Sequence, residues 1–117
     1  NHRLIRSFDS LLKKSEKPTA TFLSSDLAGK PKPFWGAYAV SKATLEHIIQ
    51  TWALENKHNN FSISIIDPGK TNTKMRRLAM PGEDPTKLKK PIYIAKEIVK
   101  IILSNKIFKG NIIKINN

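Results

Sequence analysis

Apolar residues spaced three and four apart alternate along this chain with short runs rich in Ile, Thr and Phe. The first pattern predicts helices with one buried face, and the second predicts buried strands. Helices are predicted at 3–15, 37–56 and 91–102, each followed by a strand, at 19–23, 61–66 and 111–115. A helix between successive strands favours a parallel sheet with right-handed crossovers and helices on both faces. The sequence therefore predicts the α/β class, with three strands and flanking helices.

The helix predicted at 37–56 has the clearest period, because neither glycine nor proline interrupts it. Along it the apolar residues Val40, Leu45, Ile48, Ile49, Trp52 and Leu54 recur at three and four, which predicts a long amphipathic helix. The inward stripe predicted for 91–102 comprises Ile94, Ala95, Ile98, Ile101 and Ile102. Between these helices, residues 70–91 lack a helical period and contain prolines and a glycine. They are predicted to form a long loop, and loops of this length are usually functional or mobile.

The composition limits the classes of protein to consider. A length of 117 residues suits one domain or part of one. A net charge of +12 would favour nucleic-acid binding if it were clustered, but the lysines are spread over every segment, so a solvated basic surface is preferred. Cysteine is absent, no apolar run is long enough for a membrane span, and the histidines lack the spacing of a metal site. We expect a cytoplasmic protein without a membrane segment or a bound metal.

Tyr38 and Lys42 lie four residues apart near the start of the long helix, so their side chains leave one face about one turn apart. A lysine stem packed beside a tyrosine would give the same pattern without any function. Ser25 strengthens the functional interpretation, because it lies at the C-terminal end of a predicted parallel strand, and open α/β sheets bind ligands at the carboxyl ends of their strands.

The chemistry of such a pair depends on burial. A tyrosine ordinarily titrates near pH 10, so proton transfer at pH 7 requires that its phenolate form be stabilised. A lysine cation about 4 Å away supplies roughly 4 kcal/mol at an effective dielectric of about 20, but only about 1 kcal/mol in water. The pair is therefore predicted to work only in a site closed to solvent.

Three short motifs follow one another along the sequence. Ser24 and Ser25 end a strand ahead of Gly29, residues 35–43 read Trp-Gly-Ala-Tyr-Ala-Val-Ser-Lys-Ala, and residues 67–73 read Asp-Pro-Gly-Lys-Thr-Asn-Thr. In this order they resemble the short-chain dehydrogenase/reductases, in which a Pro-Gly-x-x-x-Thr element lies against the nicotinamide. The resemblance covers nearly the whole chain, and residues 72–91 also resemble an uncharacterised bacterial branch of these oxidoreductases.

The resemblance implies an oxidoreductase that interconverts a carbonyl and an alcohol of a small molecule by hydride transfer with NAD or NADP. Tyr38 would exchange the proton, and Lys42 would stabilise its phenolate and bind the nicotinamide ribose. Ser25, rather than its neighbour Ser24, would hold the carbonyl oxygen. The residues implied in cofactor binding are Tyr38, Lys42, Pro68, Gly69, Thr71 and Thr73.

The family's glycine-rich turn, which binds the cofactor pyrophosphate, is not found among the five glycines of this chain. We therefore expect residues 1–117 to be the C-terminal half of one doubly wound, Rossmann-like catalytic domain, without its nucleotide-binding N-terminal half. The first strand would then present an apolar edge. The alternative from another class is a non-catalytic remnant or split-gene subunit that acts as an interaction piece.

Two further expectations concern partners. The loop from Lys74 to Leu88 would cover the substrate pocket, and its candidate lid residues are Met75, Leu78, Met80 and Leu88. The long helix, with Trp52 expected at its surface, would pack against a second copy of the chain, as helices of this family commonly do in dimers and tetramers.

Overall fold

The computed structural model describes residues 1–115 and contains the six predicted elements in the predicted order. The helices are α1 (His2–Leu12), α2 (Gly36–Glu55), α3 (Lys74–Ala79) and α4 (Pro91–Leu103). The strands are β1 (Thr19–Leu23), β2 (Ser62–Asp67) and β3 (Lys109–Lys114). Short 3-10 turns follow at Asp26–Ala28 and Pro85–Lys87. Only α3 and the two 3-10 turns were not expected from the sequence pattern.

The strands form one parallel sheet in the order β1-β2-β3, which confirms the predicted α/β architecture. Thr19 pairs with Ser62 at the start of β1, and Leu23 pairs with Ile66 near its end. Within the described residues β1 has no strand on its other side, and Leu23 is 50% exposed. In the described residues the β1 edge of the sheet is therefore unpaired and partly apolar.

Helices cover both faces of the central strand. Ile63 and Ile65 are fully buried against α1 and α2, in a core that also contains Ile49, Trp52 and Phe61. Ile66 points to the other face and packs with Ile94 of α4 and with Ile115. Because side chains alternate along a strand, a strand covered on both faces carries apolar residues on each of them, as β2 does with Ile63 and Ile65 on one face and Ile66 on the other.

The apolar residues that recur along α2 and α4 are only partly buried. Leu45 and Ile49 of α2 are buried, but Val40 and Leu54 are 65% and 67% exposed. In α4, Ile94 is buried and Ile98 and Ile101 are partly buried, whereas Ala95 and Ile102 are exposed. Each helix contacts a narrow strip of the sheet, so apolar residues at the margin of a stripe remain outside the contact.

The placement of Trp52 at the surface is wrong. Its side chain is 5% exposed, its ring packs edge-on against Phe22 and Phe61, and its Nε1 donates a hydrogen bond to Oδ1 of Asp9 at 2.7 Å. The pKa of Asp9 is lowered chiefly by the hydrogen bond from Lys13, and the bond from Trp52 lowers it further. Trp52 thus joins α2 to α1 and is not available to a second copy of the chain.

The prediction of a continuous loop over residues 70–91 is also wrong, because α3 lies within it. Thr73 caps this helix, accepting a hydrogen bond on its hydroxyl from the Arg76 amide at 3.1 Å. No residue of α3 is buried, so the helix leaves no apolar period in the sequence. None of the helices in the described part of the chain is both long and apolar enough to cross a membrane.

Candidate active site

A cleft of about 430 Å³ opens at the carboxyl edge of the sheet. Residues from the ends of all three strands line it, together with the start of α2 and part of α3. Six of the seven predicted site residues are among its walls: Ser25, Tyr38, Pro68, Gly69, Thr71 and Thr73. Lys42 is the exception. The parallel topology explains the gathering, since equivalent ends of parallel strands meet at one edge.

The two serines after β1 have different environments. Ser24 is 4% exposed, and its hydroxyl donates a hydrogen bond to Oε1 of Glu46 at 2.5 Å. Ser25 is half-buried; its hydroxyl accepts a hydrogen bond from the Leu27 amide at 3.3 Å and donates to Oδ1 of Asp26 at 3.2 Å. Both of the Ser25 bonds are long, so its hydroxyl can turn towards a bound oxygen at little cost.

Tyr38 and Lys42 occupy successive turns at the start of α2, and both are half-buried. The ring of Trp35 meets the Tyr38 ring edge-on at 5.6 Å between centroids. The Lys42 Nζ lies 5.8 Å from the centroid of the Tyr38 ring and donates a hydrogen bond to the Leu23 carbonyl at 2.9 Å. The lysine is therefore held between the tyrosine and the end of β1 and does not itself line the cleft.

The second wall of the cleft is the turn after β2. Asp67 is 6% exposed, and its Oδ1 accepts a hydrogen bond from the Gly69 amide at 3.0 Å. Gly69 has φ of 67°, in the left-handed region that favours glycine. The hydroxyl of Thr71 donates to the Gly69 carbonyl at 3.3 Å, and Thr73 caps α3. These local bonds shape the turn, and among the described residues the Thr73 hydroxyl proton has no hydrogen-bond acceptor.

Positive charge dominates the cleft walls, where Lys32, Lys70, Arg76 and Lys114 accompany Asp26 and Asp67. Arg76 is held by Glu83 in a bidentate pair, with Nε to Oε2 at 2.6 Å and a terminal nitrogen to Oε1 at 2.8 Å. The Arg76 hydrogen bonds are the main cause that lowers the Glu83 pKa to about 2, and the same pair raises the Arg76 pKa. The pair ties α3 to the segment that follows it.

Of the predicted lid residues, Met75 lines the cleft with Ala79, also of α3. Leu78 is 74% exposed, and neither Met80 nor Leu88 belongs to the cleft wall. Sequence reasoning missed Trp35, Asp67 and Glu46. A signal for Glu46 existed, since it follows Tyr38 by eight residues, or two turns of one helix face. No group of three or more metal-ligating side chains converges within residues 1–115.

Comparison with known proteins identifies relatives of this chain. The profile of the short chain dehydrogenase family matches residues 3–84. YciK of Escherichia coli K12, described as an uncharacterised oxidoreductase, is 42% identical over 81 residues, which cover 69% of this chain and 32% of that protein.

Solved structures agree over nearly the whole chain. A short chain dehydrogenase from Salmonella enterica serovar Typhi superposes with a TM-score of 0.90 at 32% identity, covering 97% of this chain and 47% of its own. A short chain dehydrogenase from Shigella flexneri 2a, solved in complex with NADP, gives a TM-score of 0.89 with the same identity and the same coverage of both chains. The chain thus spans about half the length of these solved relatives.

Proposed function

The chain belongs to the short chain dehydrogenase family, and on that premise we propose that the full-length protein interconverts a carbonyl and an alcohol of a small molecule with NADP as cofactor. The observation that carries this proposal is the cleft itself. Ser25, Tyr38 and the turn at Gly69 come from three separate segments and line one cleft at the carboxyl edge of a parallel sheet.

In reduction, the Tyr38 hydroxyl would donate its proton to the substrate oxygen, and in oxidation the phenolate would take the proton back. The Ser25 hydroxyl would donate a hydrogen bond to the same oxygen and hold it in line with the phenol. Lys42, fixed by its bond to the Leu23 carbonyl, would stabilise the negative charge that develops on the phenolate. When bound, the cofactor supplies or accepts the hydride at the carbon.

The turn after β2 fits the nicotinamide end of a dinucleotide. A residue with φ of 67° and no side chain lets the backbone approach a flat ring closely. Pro68 and Gly69 would lie against the ring, and Thr71 and Thr73 would offer polar groups to its amide. The NADP complex of the Shigella relative supports the choice of NADP. The cleft volume of about 430 Å³ is within the roughly 300–1,000 Å³ of small-molecule sites.

Replacing Tyr38 by phenylalanine tests the assignment, because it removes one oxygen atom. Positioned acids and bases contribute about 100-fold or more, so kcat for NADPH-dependent reduction of p-nitrobenzaldehyde should fall by at least about 100-fold. The dissociation constant for NADPH, measured by fluorescence, should change less than about twofold. Tyr93→Phe is the matched control, since Tyr93 lies on α4 outside the cleft. A Tyr38→Phe enzyme with wild-type turnover would reject the proposal.

We also propose that the protein forms homo-oligomers through α2. With Trp52 buried, the surface offered by this helix includes Val40 and Leu54, which are 65% and 67% exposed. Light scattering coupled to size exclusion would test this, and a monomeric mass for the full-length protein would reject it. That residues 1–117 form the C-terminal half of one Rossmann-like domain, and that the protein is cytoplasmic, remain predictions.

A further inference from the structure

Two side chains of α2 fasten the end of β1 immediately before Ser25. The Lys42 ammonium donates to the Leu23 carbonyl at 2.9 Å, and one turn further along, Oε1 of Glu46 accepts the Ser24 hydroxyl at 2.5 Å. The two anchored residues are consecutive, and the residue that follows them is the predicted catalytic serine.

The second contact is the better shielded one. Ser24 is 4% exposed, and its amide also donates to the Ile66 carbonyl of β2 at 2.8 Å. The residue is therefore held by the sheet through its backbone and by α2 through its side chain. The separation of 2.5 Å between Ser24 Oγ and Glu46 Oε1 lies at the short end of the range for hydrogen bonds between oxygens.

Tyr38, Lys42 and Glu46 are spaced by four residues, so they lie on one face of α2 over about 12 Å of its length. The face of α2 that presents Tyr38 to the cleft is thus also the face that hydrogen-bonds to the end of β1. These two hydrogen bonds, one helical turn apart, limit both the rotation and the sliding of α2 relative to the strand. Either movement would change the distance between the Tyr38 and Ser25 hydroxyls.

We propose that Glu46 is a positioning residue that acts through Ser24 and sets the placement of Ser25 relative to Tyr38. The inference rests on the proposed function, because it concerns the two hydroxyls that would bind the substrate oxygen. A misplacement of about 1 Å in a catalytic group can reduce a rate by about 100-fold, so a single buried contact of this kind has a measurable effect.

The experiment uses the full-length protein with NADPH and p-nitrobenzaldehyde. Glu46→Ala should lower kcat about tenfold or more, while the KM for NADPH stays within about twofold. Glu46→Gln keeps an oxygen that can accept the Ser24 hydroxyl, so it should retain at least half of the wild-type kcat. Glu55→Ala is the matched control, since Glu55 is an exposed residue of the same helix.

A double-mutant cycle with Ser24→Ala tests whether Glu46 acts through Ser24. The double variant should be no slower than the slower single variant. Amide hydrogen exchange provides a readout that needs no turnover: Glu46→Ala should accelerate exchange of the Leu27 amide, which bonds the Ser25 hydroxyl, about tenfold relative to Glu55→Ala.

The proposal is overturned if Glu46→Ala keeps kcat within twofold of wild type, if the losses of the two single variants multiply, or if exchange at Leu27 is unchanged. Failure of the proposed function has a different signature, namely a Tyr38→Phe enzyme that is fully active. In that case the exchange measurement alone decides whether Glu46 fixes the position of Ser25.

Discussion

Replacing Lys42 by methionine removes the ammonium group and keeps an unbranched side chain. Its Nζ lies 5.8 Å from the Tyr38 ring centroid. If the phenolate charge is placed at the ring centroid, its attraction to the cation is about 3 kcal/mol at an effective dielectric of about 20, and about 0.7 kcal/mol in bulk water. These energies correspond to rate losses of about 100-fold and about threefold, so the measured loss reports whether the working site is closed to water.

We expect the larger loss, because both side chains are already half-buried and bound cofactor and substrate would displace the remaining water. The assay is single-turnover oxidation of p-nitrobenzyl alcohol by the NADP-saturated full-length protein, in which the phenolate must take the proton. Lys96→Met on α4 is the matched control, since it removes an equal charge from an exposed position.

A structural effect of the same substitution has to be separated from the electrostatic one. Lys42→Met also loses the hydrogen bond to the Leu23 carbonyl, and bonds of this charged kind contribute roughly 1.5–3 kcal/mol to stability. Thermal unfolding measures the loss of stability independently. Rate assays well below the melting temperature of the variant then compare folded enzyme only. A folded Lys42→Met enzyme whose rate falls threefold or less would refute the low-dielectric reasoning.

Two further predictions concern the cleft wall and the sheet. Because the Arg76 pair lowers the Glu83 pKa from 4.5 to about 2, its stabilisation is fully present above about pH 4.5 and lost as the pH falls through about 2. Glu83→Gln should therefore lower the melting temperature at pH 6 but not near pH 2, and an equal difference at both would contradict this. Gly110→Ala should cost about 1–2 kcal/mol by urea denaturation, since φ is 80° and the new Cβ would lie 3.0 Å from that of Ala53. Gly82→Ala, with nothing within 4 Å, is its control, and equal stabilities would contradict the expectation.

The elements that the sequence predicted well have strong local patterns. Strand β2 carries isoleucines on both of its faces because helices cover both, and α2 has no glycine or proline after its first residue. Their order alone indicated a parallel sheet, because a helix between strands returns the chain to the same edge. The ends of β1 and β2 were located from Ser25 and from the Asp67-Pro68-Gly69 turn.

The predictions that were wrong concern residues whose structure depends on burial and tertiary contacts rather than on the local period of the sequence. Helix α3 buries none of its residues, so its presence depends on a cap at Thr73 and on the pair between Arg76 and Glu83. Trp52 was expected at the surface of α2, but its side chain is 5% exposed. The core position follows from contacts with Asp9 and Phe22, which are more than 25 residues away in sequence.

The sequence by itself determined the alternation of helices and strands, the strand ends that carry Ser25 and Gly69, and the one-turn spacing of Tyr38 and Lys42, since each is a property of neighbouring residues. Tertiary structure decided which of these residues share a cleft. It also decided that the Lys42 ammonium bonds to the Leu23 carbonyl and that Glu46 accepts the Ser24 hydroxyl. The physical reason is that these contacts join segments about twenty residues or more apart. Their distances depend on how α2 packs on the sheet, which no local pattern specifies.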